Sequence, residues 1–292
     1  MPRTDPAASP QSEGRALGII AGGGQLPGRV AAAARAAGRT VFILGLEGFA
    51  DPEVLAPFPH MINRIGAVGR SLAALRAHSC QDLVMIGPVR RPSLLDLRPD
   101  AEGARALARI GRAAFAGDDG LLAAVIKVLN QEGFRVIGAH EVLREALAPP
   151  GLLTKAAPDA LAQADIDRGV AVLRLLGSAD VGQACVVQQG LVLAVEAIEG
   201  TDAMLGRASV LKRDGLGGVL VKLCKPGQDR RADLPTIGPD TMRNAAAAGL
   251  RGVAFEADAT ILAERDACLA AADAAGLFML GLEGLSSSEP SS

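Results

Sequence analysis

Short apolar runs alternate with amphipathic stretches through the first half of the chain, and this alternation predicts strands connected by helices. Leu17–Ala21 is an apolar run that ends at three glycines, and Thr40–Leu46 is a second apolar run. The helix-like stretch Arg29–Ala37 lies between them and stops before Gly38. A strand, a turn, a helix and a second strand in this order indicate a parallel sheet.

The same pattern continues to about residue 150. Two further apolar runs predict strands, and two amphipathic stretches predict helices. The strands are predicted at Leu83–Ile86 and Arg135–Gly138, and the helices at Ala104–Ala116 and Leu121–Glu132. We therefore expect a Rossmann-like, doubly wound N-terminal domain over residues 16–150, preceded by a disordered leader at 1–15.

The second half has a different pattern, which begins after the break at Pro149-Pro150-Gly151. Here two apolar runs are separated only by Gln189-Gly190, which predicts a hairpin. Strands are predicted at Ala184–Gln188, Leu191–Ile198, Gly218–Leu223, Val253–Glu256 and Leu277–Leu280, and helices at Asp165–Leu176, Thr241–Ala248 and Leu262–Ala275. The expected fold class is α/β with two domains. Residues 151–160 are predicted as a linker, 161–285 as a mixed α/β catalytic domain and 286–292 as a disordered tail.

Composition excludes several classes of protein. A net charge of −2 over 292 residues, with no Trp or Tyr, argues against a nucleic-acid-binding protein. The four cysteines lack CxxC spacing and the three histidines are scattered, which argues against zinc and histidine-rich metal sites. No uncharged apolar run reaches the ~18 residues of a membrane span, and the N-terminus has no apolar signal region. We expect a cytoplasmic protein.

The glycine-rich segment Gly22-Gly23-Gly24-Gln25-Leu26-Pro27-Gly28 joins the first predicted strand to a helix. Its backbone N–H groups could approach a phosphate at the helix N-terminus. With Glu47 after the next strand, it also resembles a dinucleotide-binding fingerprint, so an NAD(P)-dependent oxidoreductase is one interpretation. A simple tight turn is another.

Two acidic segments are candidates for chemistry. In Gly117-Asp118-Asp119-Gly120, one aspartate suffices as a helix N-cap, which leaves the second for a ligand or a metal. In Glu196–Asp202, an apolar strand delivers Glu196 and then a Gly-Thr-Asp turn begins a helix. Carboxylates at a strand end are poorly buried unless they are paired or metal-bound. A role in helix capping alone is the alternative for Thr201 and Asp202.

Lys222–Gly238 is the segment that points most strongly to a site. It places four cationic and two anionic side chains in a loop whose path is constrained by proline and glycine. Lysine and arginine suit phosphate oxygens, whereas aspartate suits Mg²⁺ or an attacking water. A salt-bridged surface loop is the alternative.

Several motifs in the same order make the chain resemble the LpxI family, the UDP-2,3-diacylglucosamine pyrophosphatases of lipid A biosynthesis. The resemblance extends from Leu17 to Leu285, nearly the whole predicted ordered chain. It rests on Leu17–Pro27, Gly117-Asp118-Asp119, Asp180-Val181-Gly182-Gln183, Glu196–Asp202 and Lys225–Gly238.

The resemblance implies Mg²⁺-dependent hydrolysis of UDP-2,3-diacylglucosamine to UMP and 2,3-diacylglucosamine 1-phosphate (lipid X). It further implies that water attacks the β-phosphorus and that the ligand is held between the two domains. Oxygen ligands would accept Mn²⁺ as well as Mg²⁺. A lipid substrate without a membrane span implies transient, peripheral contact with the cytoplasmic face of the inner membrane. The oligomeric state is left open, and a non-catalytic nucleotide- or lipid-binding regulator is a further alternative.

On this basis we assign roles to individual residues as hypotheses. The catalytic candidates are Asp229, Asp233 and Lys225, with Asp229 or Asp233 activating water or holding the metal. The metal candidates are Glu196, Glu199, Asp202 and Asp229. The substrate-binding candidates are Gly22, Gly23, Gly24, Gln25, Leu26, Pro27, Asp118, Asp119, Gln183, Thr201, Lys222, Gln228, Arg230 and Thr236.

Overall fold

A computed structural model of the chain describes residues 14–90, 97–111, 118–231 and 234–285. These residues form two compact units. The first comprises the described residues up to 111 together with 120–143, and the second comprises 118–119 together with the described residues from 144 onwards. Gly151–Leu152, inside the segment predicted as a linker, is a strand of the second unit.

The first unit contains a five-stranded sheet whose neighbouring strands are all parallel. The strands are β1 (Ala16–Ala21), β2 (Val41–Leu46), β3 (His60–Asn63), β4 (Cys80–Ile86) and β5 (Arg135–Val136), in the order β3-β2-β1-β4-β5. The order reverses beside β1, which is the arrangement of a doubly wound fold. The predicted Rossmann-like parallel sheet is confirmed.

Helices lie between these strands or follow the last of them. They are α1 (Leu26–Ala36), α2 (Pro52–Leu55), α3 (Val68–Ala77), α4 (Ala101–Ile110), α5 (Asp118–Gln131) and α6 (Ala139–Val142). Helix α1 buries Val30, Ala31 and Ala34, which lie on one face of the helix. Because crossovers between parallel strands are right-handed, a reversal of strand order places helices on both faces of the sheet.

The second unit is built on a six-stranded mixed sheet. Its strands are β6 (Gly151–Leu152), β7 (Ala184–Gln188), β8 (Leu191–Val195), β9 (Val219–Lys222), β11 (Gly252–Glu256) and β13 (Phe278–Leu282), and they lie in the order β6-β13-β11-β9-β7-β8. The central strands β9, β11 and β13 are parallel, and the outer pairs are antiparallel. The short strands β10 (Thr236–Ile237) and β12 (Ile261–Leu262) form a separate parallel pair. The predicted mixed α/β character is confirmed.

Within the described residues, four helices cover this sheet. They are α7 (Ala160–Gly177), α8 (Thr201–Val210), α9 (Pro239–Ala247) and α10 (Arg265–Ala274), and a 3-10 turn at Arg144–Ala146 precedes them. In the part of the chain that the structure describes, no helix combines the length and apolar character needed to cross a membrane.

Both faces of the second sheet are buried. In β9, Leu220 belongs to the core under α8, α9 and α10, whereas Val219 and Val221 belong to the core under α7. Successive strand residues point to opposite faces, so an uninterrupted apolar strand is what a sheet covered on both sides requires. This explains why the strands of the second half are continuous apolar runs.

Some predicted boundaries are corrected by the structure. The helix predicted from Leu262 begins at Arg265, because Ile261–Leu262 pairs with β10 as a strand. Helix α7 begins at Ala160, five residues earlier than predicted, because the side chain of Asp159 caps it. The Gln189-Gly190 hairpin is confirmed, with both residues at positive φ.

Candidate functional site

The ends of several strands of the second sheet meet at one edge, and they carry the polar residues of the candidate site. Lys222, the last residue of β9, pairs with Ala184 at the start of β7 and with Phe255 of β11. Glu196 follows β8 and its N–H donates to the carbonyl of Ala184 at 2.8 Å. Glu256 ends β11. The loops that begin at Glu196 and Lys222 are therefore brought together, as the sequence predicted.

Glu196 and Lys222 are both buried and are connected through one hydroxyl. Lys222 Nζ donates to Thr201 Oγ1 at 2.8 Å, and Thr201 Oγ1 donates to Glu196 Oε1 at 2.7 Å. The second oxygen of Glu196 accepts the backbone N–H of Gln183 at 3.2 Å. Burying either charge without a hydrogen-bond partner would cost free energy, and these hydrogen bonds give both charged groups a partner. Thr201 therefore connects Lys222 to Glu196 in addition to beginning α8.

Gly182 explains how Gln183 reaches this carboxylate. Its φ is +54°, a conformation that L side chains rarely adopt. A Cβ at this position would collide with the backbone carbonyl of Glu196. Glycine is therefore required both by the turn and by the close approach of two backbones.

Lys225 lies between two carboxylates. Its Nζ is 2.5 Å from Asp180 Oδ1 and 3.1 Å from Asp119 Oδ1. Burial lowers the pKa of Lys225, but hydrogen bonds to Asp180 and Asp119 raise it by more. Burial raises the pKa of Asp119, with Asp180 contributing in the same direction and Lys225 opposing it. Lys225 is therefore a fixed ammonium. The side chain of Asp118 lies outside the described residues.

The loop after β9 is held by the amide of Gln228. Gln228 Oε1 accepts the N–H of Lys225 at 3.1 Å and the thiol of Cys224 at 3.1 Å. Gln228 is buried, and its Nε2 has no hydrogen-bond partner among the described residues. Oε1 of Gln183 is likewise buried and without such a partner there. An unsatisfied buried donor costs free energy, so Gln228 Nε2 is a donor that a bound anion could satisfy.

Glu256 belongs to this site, although the sequence analysis did not identify it. Its Oε2 accepts the backbone N–H of Cys224 at 3.1 Å, and its Oε1 lies 3.3 Å from the guanidinium of Arg230. Burial raises the pKa of Glu256, against the opposing effects of the Cys224 N–H and the positive charges of Arg230 and Arg174. The sequence did contain a signal for this residue, because Glu256, like Glu196, is a carboxylate at the end of an apolar strand.

Asp229 is paired with its neighbour Arg231. The two carboxylate oxygens accept from Arg231 Nε at 2.9 Å and from a terminal nitrogen at 2.6 Å, and Oδ1 also accepts the Arg231 backbone N–H. The hydrogen bond from the Arg231 side chain is the main cause of the lowered pKa of Asp229. Asp229 is therefore ionised at neutral pH. Asp233 lies outside the described residues, so the choice between them stays open.

The other acidic candidates have partners of their own. Glu199 pairs with Arg207, and its own backbone N–H is the main cause of its lowered pKa. Asp202 Oδ1 accepts from Asn244 Nδ2 at 2.9 Å. Across the described ranges, no three His, Cys, Asp or Glu side chains are grouped as a metal site would require. The assignment of Glu196, Glu199, Asp202 and Asp229 to a metal stays a prediction.

The glycine-rich segment of the first unit packs against the loop after β4. The N–H of Gly22 donates to Ile86 O at 2.9 Å, and that of Gly23 donates to Pro88 O at 3.0 Å. A Cβ on Gly22 would collide with the carbonyl of Gly87. These two N–H groups are engaged within the protein, which weakens the dinucleotide interpretation. Gly24, Gln25, Leu26 and Pro27 stay predicted contacts.

Thr236 lies in β10, where its hydroxyl donates to the carbonyl of Leu234 at 3.3 Å. No further described contact connects it to the cluster at the strand ends, and its predicted role in substrate binding stays a prediction.

Comparison with known proteins gives matches in both halves. A model of the LpxI N-terminal domain matches residues 16–146, and a model of the LpxI C-terminal domain matches residues 149–280. The chain is also 46% identical over 275 residues to the Caulobacter vibrioides protein named UDP-2,3-diacylglucosamine pyrophosphatase LpxI. That alignment covers 92% of this chain and 98% of the relative.

Proposed function

This chain belongs to the LpxI family, and on that premise we propose that it hydrolyses the pyrophosphate of UDP-2,3-diacylglucosamine. The products are UMP and 2,3-diacylglucosamine 1-phosphate. The observation that carries the proposal is that the charged loops after Glu196 and Lys222, which contain motifs of the resemblance, meet at one edge of the second sheet. The high identity to the Caulobacter relative extends along nearly the whole chain.

In the proposed reaction, the oxygen of a water molecule forms a bond to the β-phosphorus. The bond from that phosphorus to the bridging oxygen breaks, and the bridging oxygen leaves with UMP. The water oxygen therefore remains on the lipid phosphate, and one proton of the water is released. Charge develops on the leaving phosphate and on the transferred phosphoryl group, so fixed positive charge and hydrogen-bond donors should accelerate the step.

Lys225 and Gln228 are the groups best placed to meet this charge. Lys225 is fully protonated at neutral pH and held in position by Asp119 and Asp180, so it would need little reorganisation on binding phosphate. The Nε2 donor of Gln228 would gain an acceptor that the described protein does not provide. Arg230, whose guanidinium is partly exposed, would add a third contact.

Two carboxylates are proposed to orient or activate the water, namely Asp229 and Asp233. Asp229 is ionised but engaged by Arg231, so it would act as a hydrogen-bond acceptor for water rather than as a strong base. Substitution of each residue, with turnover and substrate binding measured separately, distinguishes the two.

Mg²⁺, or Mn²⁺ in its place, is the cofactor that we propose on the basis of the family resemblance. The described carboxylates do not fit a metal site as they stand, since Glu196 is bound by Thr201 and Asp229 by Arg231. Charge balance nevertheless supports a need for a metal ion. Among the described residues, Lys225, Arg230 and Arg231 are each neutralised by a carboxylate, and a pyrophosphate brings further negative charge. A bound divalent cation would supply that balance.

The substrate's acyl chains lie in a membrane, so we propose that the enzyme contacts the cytoplasmic face of the inner membrane transiently. No described helix could cross a membrane. Co-sedimentation with anionic vesicles at low and high salt would test such peripheral contact.

The proposed function is tested by incubating purified protein with UDP-2,3-diacylglucosamine and Mg²⁺ and measuring UMP. A second sample contains EDTA. A third sample contains EDTA and then receives excess Mn²⁺, which should restore the release of UMP. The proposal requires UMP in the first sample. Binding of the UDP-sugar without release of UMP would instead identify a non-catalytic nucleotide- or lipid-binding regulator.

A further inference from the structure

Glu256 is a buried carboxylate that the proposed mechanism does not use. It is the last residue of β11, and its side chain is only 7% exposed. Its position at the strand end places it beside Lys222 of β9, because Phe255 pairs with Lys222 in the parallel ladder. A carboxylate removed from water at this point is unfavourable unless its oxygens are bound.

The two oxygens of Glu256 bind two points, six residues apart, in the loop that carries the proposed phosphate contacts. Oε2 accepts the N–H of Cys224 at 3.1 Å, at the start of the loop. Oε1 lies 3.3 Å from the guanidinium of Arg230, six residues further on. The amide of Gln228 adds an internal bond by accepting the N–H of Lys225. One buried side chain thus connects the start of the loop to Arg230.

The two contacts of Glu256 differ in kind. The Cys224 N–H needs only an acceptor, which a glutamine oxygen would also supply. The Arg230 guanidinium needs a negatively charged partner. Without one, the Arg230 side chain, which is 44% exposed, would be free to sample other rotamers in water. Pairing with a buried anion therefore restricts the rotamers of this partly exposed arginine, which stands in the same loop as Lys225 and Gln228.

We propose that Glu256 is a positioning residue that holds Arg230 in the orientation in which it binds a phosphate oxygen of the substrate. Glu256 itself does not touch the substrate. The inference rests on the proposed function, because it names a residue that organises the same site. It extends that function by assigning a role to a residue outside the motifs that carry the family resemblance.

The experiment is a double-mutant cycle with Glu256→Gln, Arg230→Gln and the double variant. Binding of UDP is measured by calorimetry, and KM and kcat are measured from UMP release. Glu102→Gln is the matched control, since Glu102 pairs with Arg105 in the first unit. Melting temperatures of all variants show whether each is folded. If Glu256→Gln does not fold, Glu256→Asp takes its place in the cycle, because shortening the side chain by one carbon keeps the buried charge but withdraws it from the Arg230 guanidinium.

We expect each single variant to weaken UDP binding and to raise KM by about five- to tenfold, with kcat within about threefold of the wild type. The double variant should be no weaker than Arg230→Gln alone, because Glu256 acts through Arg230. Additive losses in the double variant, or normal UDP binding by Glu256→Gln, would overturn the proposal.

The binding readout separates this inference from the proposed function. Suppose that the wild type binds UDP, that the variants lose UDP binding in the coupled pattern, and that no UMP is released. The positioning role of Glu256 then stands and the proposed hydrolysis falls. If the wild type releases UMP but the cycle is additive, the hydrolysis stands and the positioning role falls. If the wild type neither binds UDP nor releases UMP, both fall.

Discussion

The ammonium of Lys225 lies 2.5 Å from a carboxylate oxygen of Asp180, a residue 45 positions earlier in the chain. Asp119 lies on the same ammonium at 3.1 Å. Two partly buried carboxylates sharing one lysine hold the cation in place, and this cation is the centre of the proposed phosphate site.

Replacing Lys225 by methionine keeps the apolar stem and removes the charge. We expect kcat/KM for UMP release to fall by about 100-fold or more, as when one preorganised electrostatic group is removed from a catalytic site. The melting temperature should also fall, because Asp119 and Asp180 lose their shared partner. Lys127→Met, at an exposed position of α5, is the control. Unchanged kcat/KM in Lys225→Met would remove Lys225 from the mechanism.

The roles of Asp229 and Asp233 are separated by single asparagine substitutions. We expect Asp229→Asn to lower kcat by about 100-fold, the lower end of the range for loss of a group that orients or activates the nucleophile, with substrate binding nearly unchanged. Calorimetry with a UDP-sugar measures the binding. Near-normal kcat in Asp229→Asn together with inactivity of Asp233→Asn would assign the water to Asp233.

Glycine at position 182 is expected to be essential for the site, whereas glycine at 206 is not. Gly182→Ala forces a side chain into a left-handed turn against the carbonyl of Glu196, so it should destabilise the fold by about 2 kcal/mol or more and reduce activity. Gly206 lies in α8 with open space around the added Cβ. Gly206→Ala should therefore raise the free energy of unfolding by about 0.5–1 kcal/mol. Denaturant titration of both variants measures the difference, and equal effects would contradict the account.

Asp82 is expected to make the stability of the first unit sensitive to acid. It is fully buried and bound by Arg39 at 2.6 Å and by Arg135 at 2.8 Å. Burial on its own raises the pKa of Asp82, but hydrogen bonds from Arg135 and Arg39 lower it below the ordinary value. The stabilisation is thus fully present above the unfolded-state pKa, near 4, and is lost as pH falls through the lower folded-state pKa.

Asp82→Asn tests this expectation by thermal unfolding between pH 3 and pH 7. It should cost about 3 kcal/mol at neutral pH, because Arg39 keeps a buried charge without its counter-ion. The difference from the wild type should shrink towards the acidic end. Glu132→Gln, which disrupts surface contacts with Arg76 and Arg109, is the control and should cost under about 1 kcal/mol. A loss in Asp82→Asn that does not change with pH would contradict the account.

Much of the fold could be predicted because apolar runs identify strands directly. Leu17–Ala21 and Ala184–Gln188 are buried strands whose limits agree with the prediction to within one residue. Strand β3 (His60–Asn63) was missed, because it lies at the edge of its sheet and half of its residues are polar. The start of α10 was misplaced because an apolar run as short as Ile261–Leu262 is compatible with a strand or with a helix.

The site could be predicted only in part, for a reason of geometry. The sequence shows which loops carry charge, and the loops at Glu196 and Lys222 do meet. It does not show which charges pair. Lys225 is bound to residues 45 and 106 positions away, a relation that only the tertiary fold creates. Glu256 was missed because it lies outside every charged run. The sequence also does not show that the N–H groups of Gly22 and Gly23 donate to the carbonyls of Ile86 and Pro88. The predicted role of these glycines in substrate binding stays a prediction.

The proposed attack at the β-phosphorus is the central claim, and hydrolysis in ¹⁸O-labelled water tests it most directly. Mass spectrometry of the two products after a single turnover shows which phosphate receives the oxygen of water. We predict one ¹⁸O atom in 2,3-diacylglucosamine 1-phosphate and none in UMP. Label in UMP, or no cleavage of the UDP-sugar by the folded, metal-supplied protein, would contradict the account.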